Sequence, residues 1–153
     1  MKVIDCLYNH PMLKRAIFFY NYLYPRLNYL IMITVARIYG NRGQITGITI
    51  LVDRIWPRGI TKEKAGVDLW MKEIAPSNEL RKWFNHEDVK WSEFRERYFA
   101  ELDNKREVVK ALLGVTKGGD ITLLFSARNS EHNNAVALKE YLERHKNLGS
   151  AVL

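Results

Sequence analysis

Two short stretches of this chain hold more polar side chains than a fold alone requires. The first is Asp53-Arg54-Ile55-Trp56-Pro57-Arg58-Gly59, and the second is Ser126-Ala127-Arg128-Asn129-Ser130-Glu131-His132-Asn133-Asn134. Arg54, Arg58 and Arg128 carry planar guanidinium forks that hold a carboxylate or phosphate through paired hydrogen bonds. Trp56 offers a flat face for a heterocyclic base or for an arginine. His132 has an unperturbed pKa near neutrality and, with Asp53, is a candidate for acid/base chemistry. Ser126, Asn133 and Asn134 supply neutral donors and acceptors able to orient an amide or a base edge. The second stretch runs into an expected helix, whose free amides and dipole favour an anion.

A third stretch, Leu80 to His86, places Arg81 and His86 within reach of the same chemistry, and Lys72 and Asp68 are weaker candidates just upstream. Plain structural roles stand beside each of these. Asp53 and Arg54 can fix a turn, and Trp56-Pro57 can cover a core. Ser130 can cap a helix, and His132 can sit on its first turn. A serine-hydrolase elbow is missing around Ser126. No phosphate-binding Gly-rich loop, dinucleotide fingerprint, His-Glu-x-x-His or paired Cys-x-x-Cys occurs, so no metal site and no cofactor is expected.

The elements that must carry these residues follow from periodicity. Ile33 to Tyr39 and Ile48 to Asp53 are rich in β-branched residues and bracket Gly40, Gly43 and Gly47, which predicts two strands. Val67 to Ile74 fits either a short strand or a helix. Ser77 is placed to cap a helix with Leu80, Trp83 and Phe84 on one face. Trp91, Phe94, Tyr98 and Leu102 form a helical stripe, repeated by Val108, Val109, Leu112 and Leu113 up to Gly118-Gly119. Ile121 to Phe125 predicts a buried strand, and Ala135, Leu138 and Leu142 a last helix. Strands at both ends with helices between predict a compact three-layer α/β domain with a small, largely parallel sheet flanked by helices. Both polar stretches then fall at strand carboxyl ends, where such folds form ligand crevices.

The chain has 153 residues, one cysteine and a net charge of +7. One cysteine excludes an intramolecular disulfide and fits a reducing, cytoplasmic setting. Beyond position 31 there are 20 basic against 16 acidic residues, a mild excess that draws phosphates but is weak evidence for nucleic acid. Residues 1–31 read differently, with seven of the eighteen aromatics. Their longest uncharged run, Ala16 to Pro25, is ten residues, too short to span a bilayer. They are expected to be an appended segment, translated from an upstream start, or else an amphipathic helix over about 12–23. The domain is expected over 32–146, followed by a tail over 147–153.

Taken in order, LVDRIWPRG (51–59), WMKEIAPS (70–77), ELRKWF (79–84) and TLLFSA (122–127) resemble the YeaO-like branch of domain-of-unknown-function family 488, over about Met32 to His145. The resemblance implies a small α/β protein, in a wider family associated with nucleotides or nucleic acids, whose short branch lacks an established activity. Carried over by position, the family-like residues are Asp53, Arg54, Trp56, Arg58, Lys72, Arg81, Ser126, Asn133 and Asn134. Arg128 departs from the lysine expected there, and an arginine stays charged, which removes a role for a deprotonated amine. Residues 1–31 have no counterpart in the pattern. The leading expectation is a crevice for a phosphorylated or nucleotide-like anion. The alternatives are a non-enzymatic nucleic-acid-binding protein and a protein-interaction module. Neither a substrate nor an oligomeric state is legible.

Overall fold

Four short runs of β-branched and leucine residues pair side by side into one parallel sheet: β1 (Ile33–Arg37), β2 (Ile48–Leu51), β3 (Leu69–Trp70) and β4 (Ile121–Phe125), in the order β1-β4-β2-β3. The computed structural model describes residues 32–40, 45–116 and 119–145. The expectations for residues 1–31, for Gly43 and Gly118 and for the tail lie outside these. The last strand in sequence is central in space. All five of its residues are buried, as a near-continuous apolar run in a parallel sheet should be. Its register sets Leu123 opposite Val35 on one side and Ile50 on the other.

Among the described residues five helices pack about the sheet: α1 (Lys62–Ala65), α2 (Asn78–Phe84), α3 (Trp91–Asp103), α4 (Arg106–Thr116) and α5 (Asn134–His145), with a 3-10 turn at Asp88–Lys90. Alternation along the strands gives each face its own apolar cluster. Ile33, Ile50, Ile121, Leu123 and Phe125 meet Leu80, Phe84, Phe94, Tyr98, Leu102, Leu112 and Leu138 from the longer helices. Ala36, Leu51 and Leu124 on the reverse face are covered by Ala65 and by Trp56, Ile60, Val67 and Trp70. The expected three-layer α/β class is therefore the observed one, with a thin second cover.

The differences from expectation are local. β1 ends at Arg37, although Ile38 N still donates to Phe125 O at 2.8 Å before Gly40 turns the chain at φ +76°. β2 ends at Leu51; Val52 N makes one more bond to Leu124 O at 3.1 Å, and then the chain turns. The ambiguous 67–74 segment becomes the two-residue strand β3 followed by a turn that closes with Ile74 N on Met71 O at 3.2 Å. Helix α1 was not anticipated, because four residues are too few to show a period; Thr61 caps it, and Gly66 closes it at φ +53°. Ser77 caps α2 as expected, its Oγ accepting from Leu80 N at 3.1 Å.

Candidate functional site

Because β2 and β4 are parallel neighbours, the residues just beyond them emerge at the same edge of the sheet. Asp53 follows β2 and Ser126 follows β4. The Asp53 Oδ2 accepts from Ser126 N at 2.9 Å and, through a short contact, from Ser126 Oγ. Its Oδ1 accepts from Asn134 Nδ2 at 3.2 Å, and the same amide donates to Val52 O at 2.9 Å. The Asp53 carbonyl accepts from Trp70 Nε1 at 2.7 Å. One carboxylate thus ties together the ends of β2 and β4 and the start of α5. Burial pushes the Asp53 carboxyl above its ordinary range, while the bonds from Ser126 and Asn134 and the charge of Arg81 pull against that rise.

The chain after Asp53 builds one wall of a cleft of about 300 Å³. Arg54 donates from Nε to Pro76 O at 2.9 Å and from Nη2 to Ala75 O at 3.0 Å. Lys105 Nζ reaches the same Ala75 O at 3.0 Å, and the buried Tyr98 hydroxyl donates to Ile74 O at 2.8 Å. Trp56 donates to Ile60 O at 2.7 Å and sets its ring edge-on to Trp70, centroids 5.4 Å apart. Tyr39 Oη donates to Arg58 O at 2.9 Å, pinning the loop at its far end.

Helix α2 supplies the opposite wall. Arg81 lies on its last turn, and Phe84 stacks on Phe94 at 4.3 Å to make an apolar floor. The helix stops at Asn85 and His86, at φ +46° and +57°. Non-glycine residues rarely adopt that left-handed region, asparagine and histidine more readily than most. The turn carries His86 into the cleft lining. Three arginines (Arg54, Arg58 and Arg81), the Asp53 carboxylate and His86 therefore line one cleft, with the Arg54 guanidinium turned onto backbone carbonyls and the Arg81 charge acting on Asp53. The guanidinium groups of Arg58 and Arg81 have no hydrogen-bond or ion-pair partner among the described residues.

The structure brings together Asp53, Arg54, Trp56, Arg58, Arg81, Ser126, Asn133 and Asn134. Three expected residues stand elsewhere. His132 is outside the lining, its Nδ1 2.7 Å from Asp88 Oδ1 and its ring stacked on Trp91 at 4.9 Å. Arg128 is exposed and also outside it. Lys72 is exposed and sits 3.9 Å from Glu73. Two roles also differ from expectation. Arg54 is bonded to backbone carbonyls and acts as a clamp on the cleft wall. The amino end of α5 is closed by Asn133, not Ser130: Asn133 Oδ1 accepts from Ala135 N at 3.0 Å and Val136 N at 3.1 Å, so those amides do not await an anion. Tyr39 and Phe84 join the lining although the sequence marked them only as part of a strand and of a helix's apolar face. Among the described residues no group of three or more His, Cys, Asp or Glu is placed to hold a metal ion, and no helix is long and apolar enough to cross a membrane.

Fold and site together define a small parallel α/β domain with an arginine-lined cleft at its strand carboxyl ends. The chain belongs to the family described as the inactive DUF488-N3 subclade, whose model matches residues 32–149. It is similar to the uncharacterized protein YeaO of Escherichia coli (strain K12), 46% identical over 106 residues, which are 69% of this chain and 92% of that protein. It is also 36% identical over 110 residues to the uncharacterized protein Rv3073c of Mycobacterium tuberculosis (strain ATCC 25618 / H37Rv), covering 72% of this chain and 92% of that one. The same figures hold for the uncharacterized protein Mb3100c of Mycobacterium bovis. No solved structure matches the chain.

Proposed function

We propose that this domain binds a small phosphorylated or nucleotide-like anion in the cleft between the carboxyl ends of β2 and β4 and helix α2. The observation that carries the reading is the charge of the lining: Arg58 and Arg81 line the cleft with guanidiniums that make no hydrogen bond or ion pair among the described residues, against the single carboxylate of Asp53. A guanidinium fork suits phosphate in geometry as well as in charge. The Phe84–Phe94 floor and the half-buried Trp56 give an attached ring an apolar surface, the usual mixture of a ligand pocket. At about 300 Å³ the space suits one small molecule and not a polymer.

Binding is favoured over catalysis for three reasons. The carboxylate of Asp53 is held by three donors, and the family description itself carries the word inactive. His132, the expected acid/base group, stands outside the cleft. A cytoplasmic setting, where phosphorylated metabolites are held, belongs to the same reading.

The test is a thermal-shift and calorimetric screen of the full chain against nucleotides, sugar phosphates and short oligonucleotides. A ligand at about 100 times its dissociation constant adds roughly 2.7 kcal/mol to stability, an easily measured shift. A small phosphorylated compound is expected to bind, and Arg58→Ala and Arg81→Ala are each expected to weaken it. Silence across the small anions, or binding unchanged in both variants, overturns the proposal. A hit on oligonucleotides alone, falling steeply with salt, moves the reading to nucleic acid.

A further inference from the structure

The cleft contains one group that a bare anion would avoid. Asp53 lines the same cleft as the arginines, half-buried, and among the described residues no cation is hydrogen-bonded to it, although the Arg81 charge acts on it. Its bonding is nearly but not fully satisfied. An ionised carboxylate has about four acceptor positions, two on each oxygen. The two Ser126 donors occupy Oδ2. Asn134 occupies one position of Oδ1, at 3.2 Å the longest bond of the set. One acceptor position on Oδ1 is left. A carboxylate partly removed from water gains most from a donor that fills such a place, and repels most an anion that brings none.

We infer that the cleft is built for an anion that carries its own hydrogen-bond donor, a hydroxyl or amine set to donate to Asp53 Oδ1 while Arg58 and Arg81 hold the phosphate. This deepens the anion-binding reading above and rests on it. Asp53 is then the specificity-determining residue. It admits polyhydroxylated or amino phosphates, such as sugar phosphates and ribonucleotides, and rejects phosphates whose attached group is purely apolar. Sites built to accept from a substrate hydroxyl reject the analogue lacking it by large factors, because the site's polar group is left unpaired.

The experiment measures dissociation constants for two matched pairs on the full chain: glycerol phosphate against propyl phosphate, and a ribonucleoside monophosphate against its 2′,3′-dideoxy counterpart. In the wild type the donor-bearing member of at least one pair is expected to bind more tightly by about tenfold or more. Asp53→Asn is expected to bring that ratio to within about twofold to threefold and to strengthen binding of the donor-free member, since it removes the negative charge. Asp53 also ties two strands together, so the wild-type ratio stands as a measurement independent of whether the variant folds. Equal binding within both pairs overturns this inference and leaves the anion site standing. A ratio unchanged in Asp53→Asn also overturns it. Failure of every compound to bind overturns the anion reading and this inference together.

Discussion

Two arginines four positions apart make opposite predictions, although the sequence presents them as equivalents. Arg54 makes two charge-assisted bonds to backbone carbonyls of the buried pair Ala75 and Pro76. Arg58 is exposed, and its guanidinium has no partner among the described residues. A hydrogen bond from a charged donor contributes about 1.5–3 kcal/mol. The bond to Pro76 O is lost outright in Arg54→Met. The bond to Ala75 O is partly replaced, because Lys105 Nζ remains 3.0 Å from that oxygen. The net cost is about 2–3 kcal/mol, or roughly 8–12 °C in the unfolding midpoint of a domain of this size. Arg58→Met is expected to stay within about 0.5 kcal/mol of the wild type. Arg54→Lys is expected to recover less than half of the loss, since an ammonium does not reproduce the two-pronged geometry. Urea unfolding followed by tryptophan fluorescence measures all three. An Arg54→Met midpoint indistinguishable from wild type, or a larger loss in Arg58→Met, would refute the division into a clamping arginine and one that holds nothing in place.

The pH dependence of Asp53 gives a second prediction. Burial raises its carboxyl above the ordinary 3.8, so between that value and the raised one the folded chain keeps a proton that the unfolded chain has released. Stability from this group is present below the ordinary value and is lost as pH rises through the window. The stability of wild type relative to Asp53→Asn should therefore decline as pH rises above the ordinary carboxylate value of 3.8 in paired denaturation curves. Asp68, held below its ordinary range by donors on Thr49, is common to both chains and cancels. A difference that grows with pH contradicts the assignment. The glycines give a third prediction. At Gly47, φ +63°, an added Cβ lies 1.7 Å from the backbone oxygen of Asp120, whereas at Gly59, φ +76°, it meets nothing within 4 Å. Gly47→Ala should cost about 3 kcal/mol or more and Gly59→Ala only the left-handed strain of about 1–2 kcal/mol; equal midpoints would argue against this packing at Gly47.

Most of the fold was legible because its signals are periodic. Phe94, Tyr98 and Leu102 are buried at the spacing that announced their helix, and Ile121–Phe125 is a strand over the bounds its apolar run set. The site was legible in part. Asp53, Arg58, Ser126 and Asn134 converge because both polar stretches follow neighbouring parallel strands, which a parallel-sheet reading requires, and helix α2 brings Arg81 to them. The remainder depends on which groups a side chain meets. His132 was the natural acid/base candidate by residue type, yet Asp88, forty-four positions away, and the Trp91 ring hold it outside the cleft. Ser130 and Asn133 are both acceptable caps, and only the position of the first turn of α5 decides between them. The clamp role of Arg54 rests on carbonyls more than twenty positions away, and carbonyls leave no mark in a sequence.

The strand order also governs when the cleft can exist during synthesis. β2 and β3 join residues nineteen positions apart and can meet early, but β1 waits for β4, its residues pairing 88 positions away. A nascent chain that has emerged only as far as α4 therefore carries β1 with no neighbour on either side, a β-branched edge open to any other unpaired strand. Ser126 and Asn134, which anchor Asp53, emerge later still. A ribosome stalled before α5 displays every arginine of the site without the Asn134 bond that helps to fix Asp53 among them.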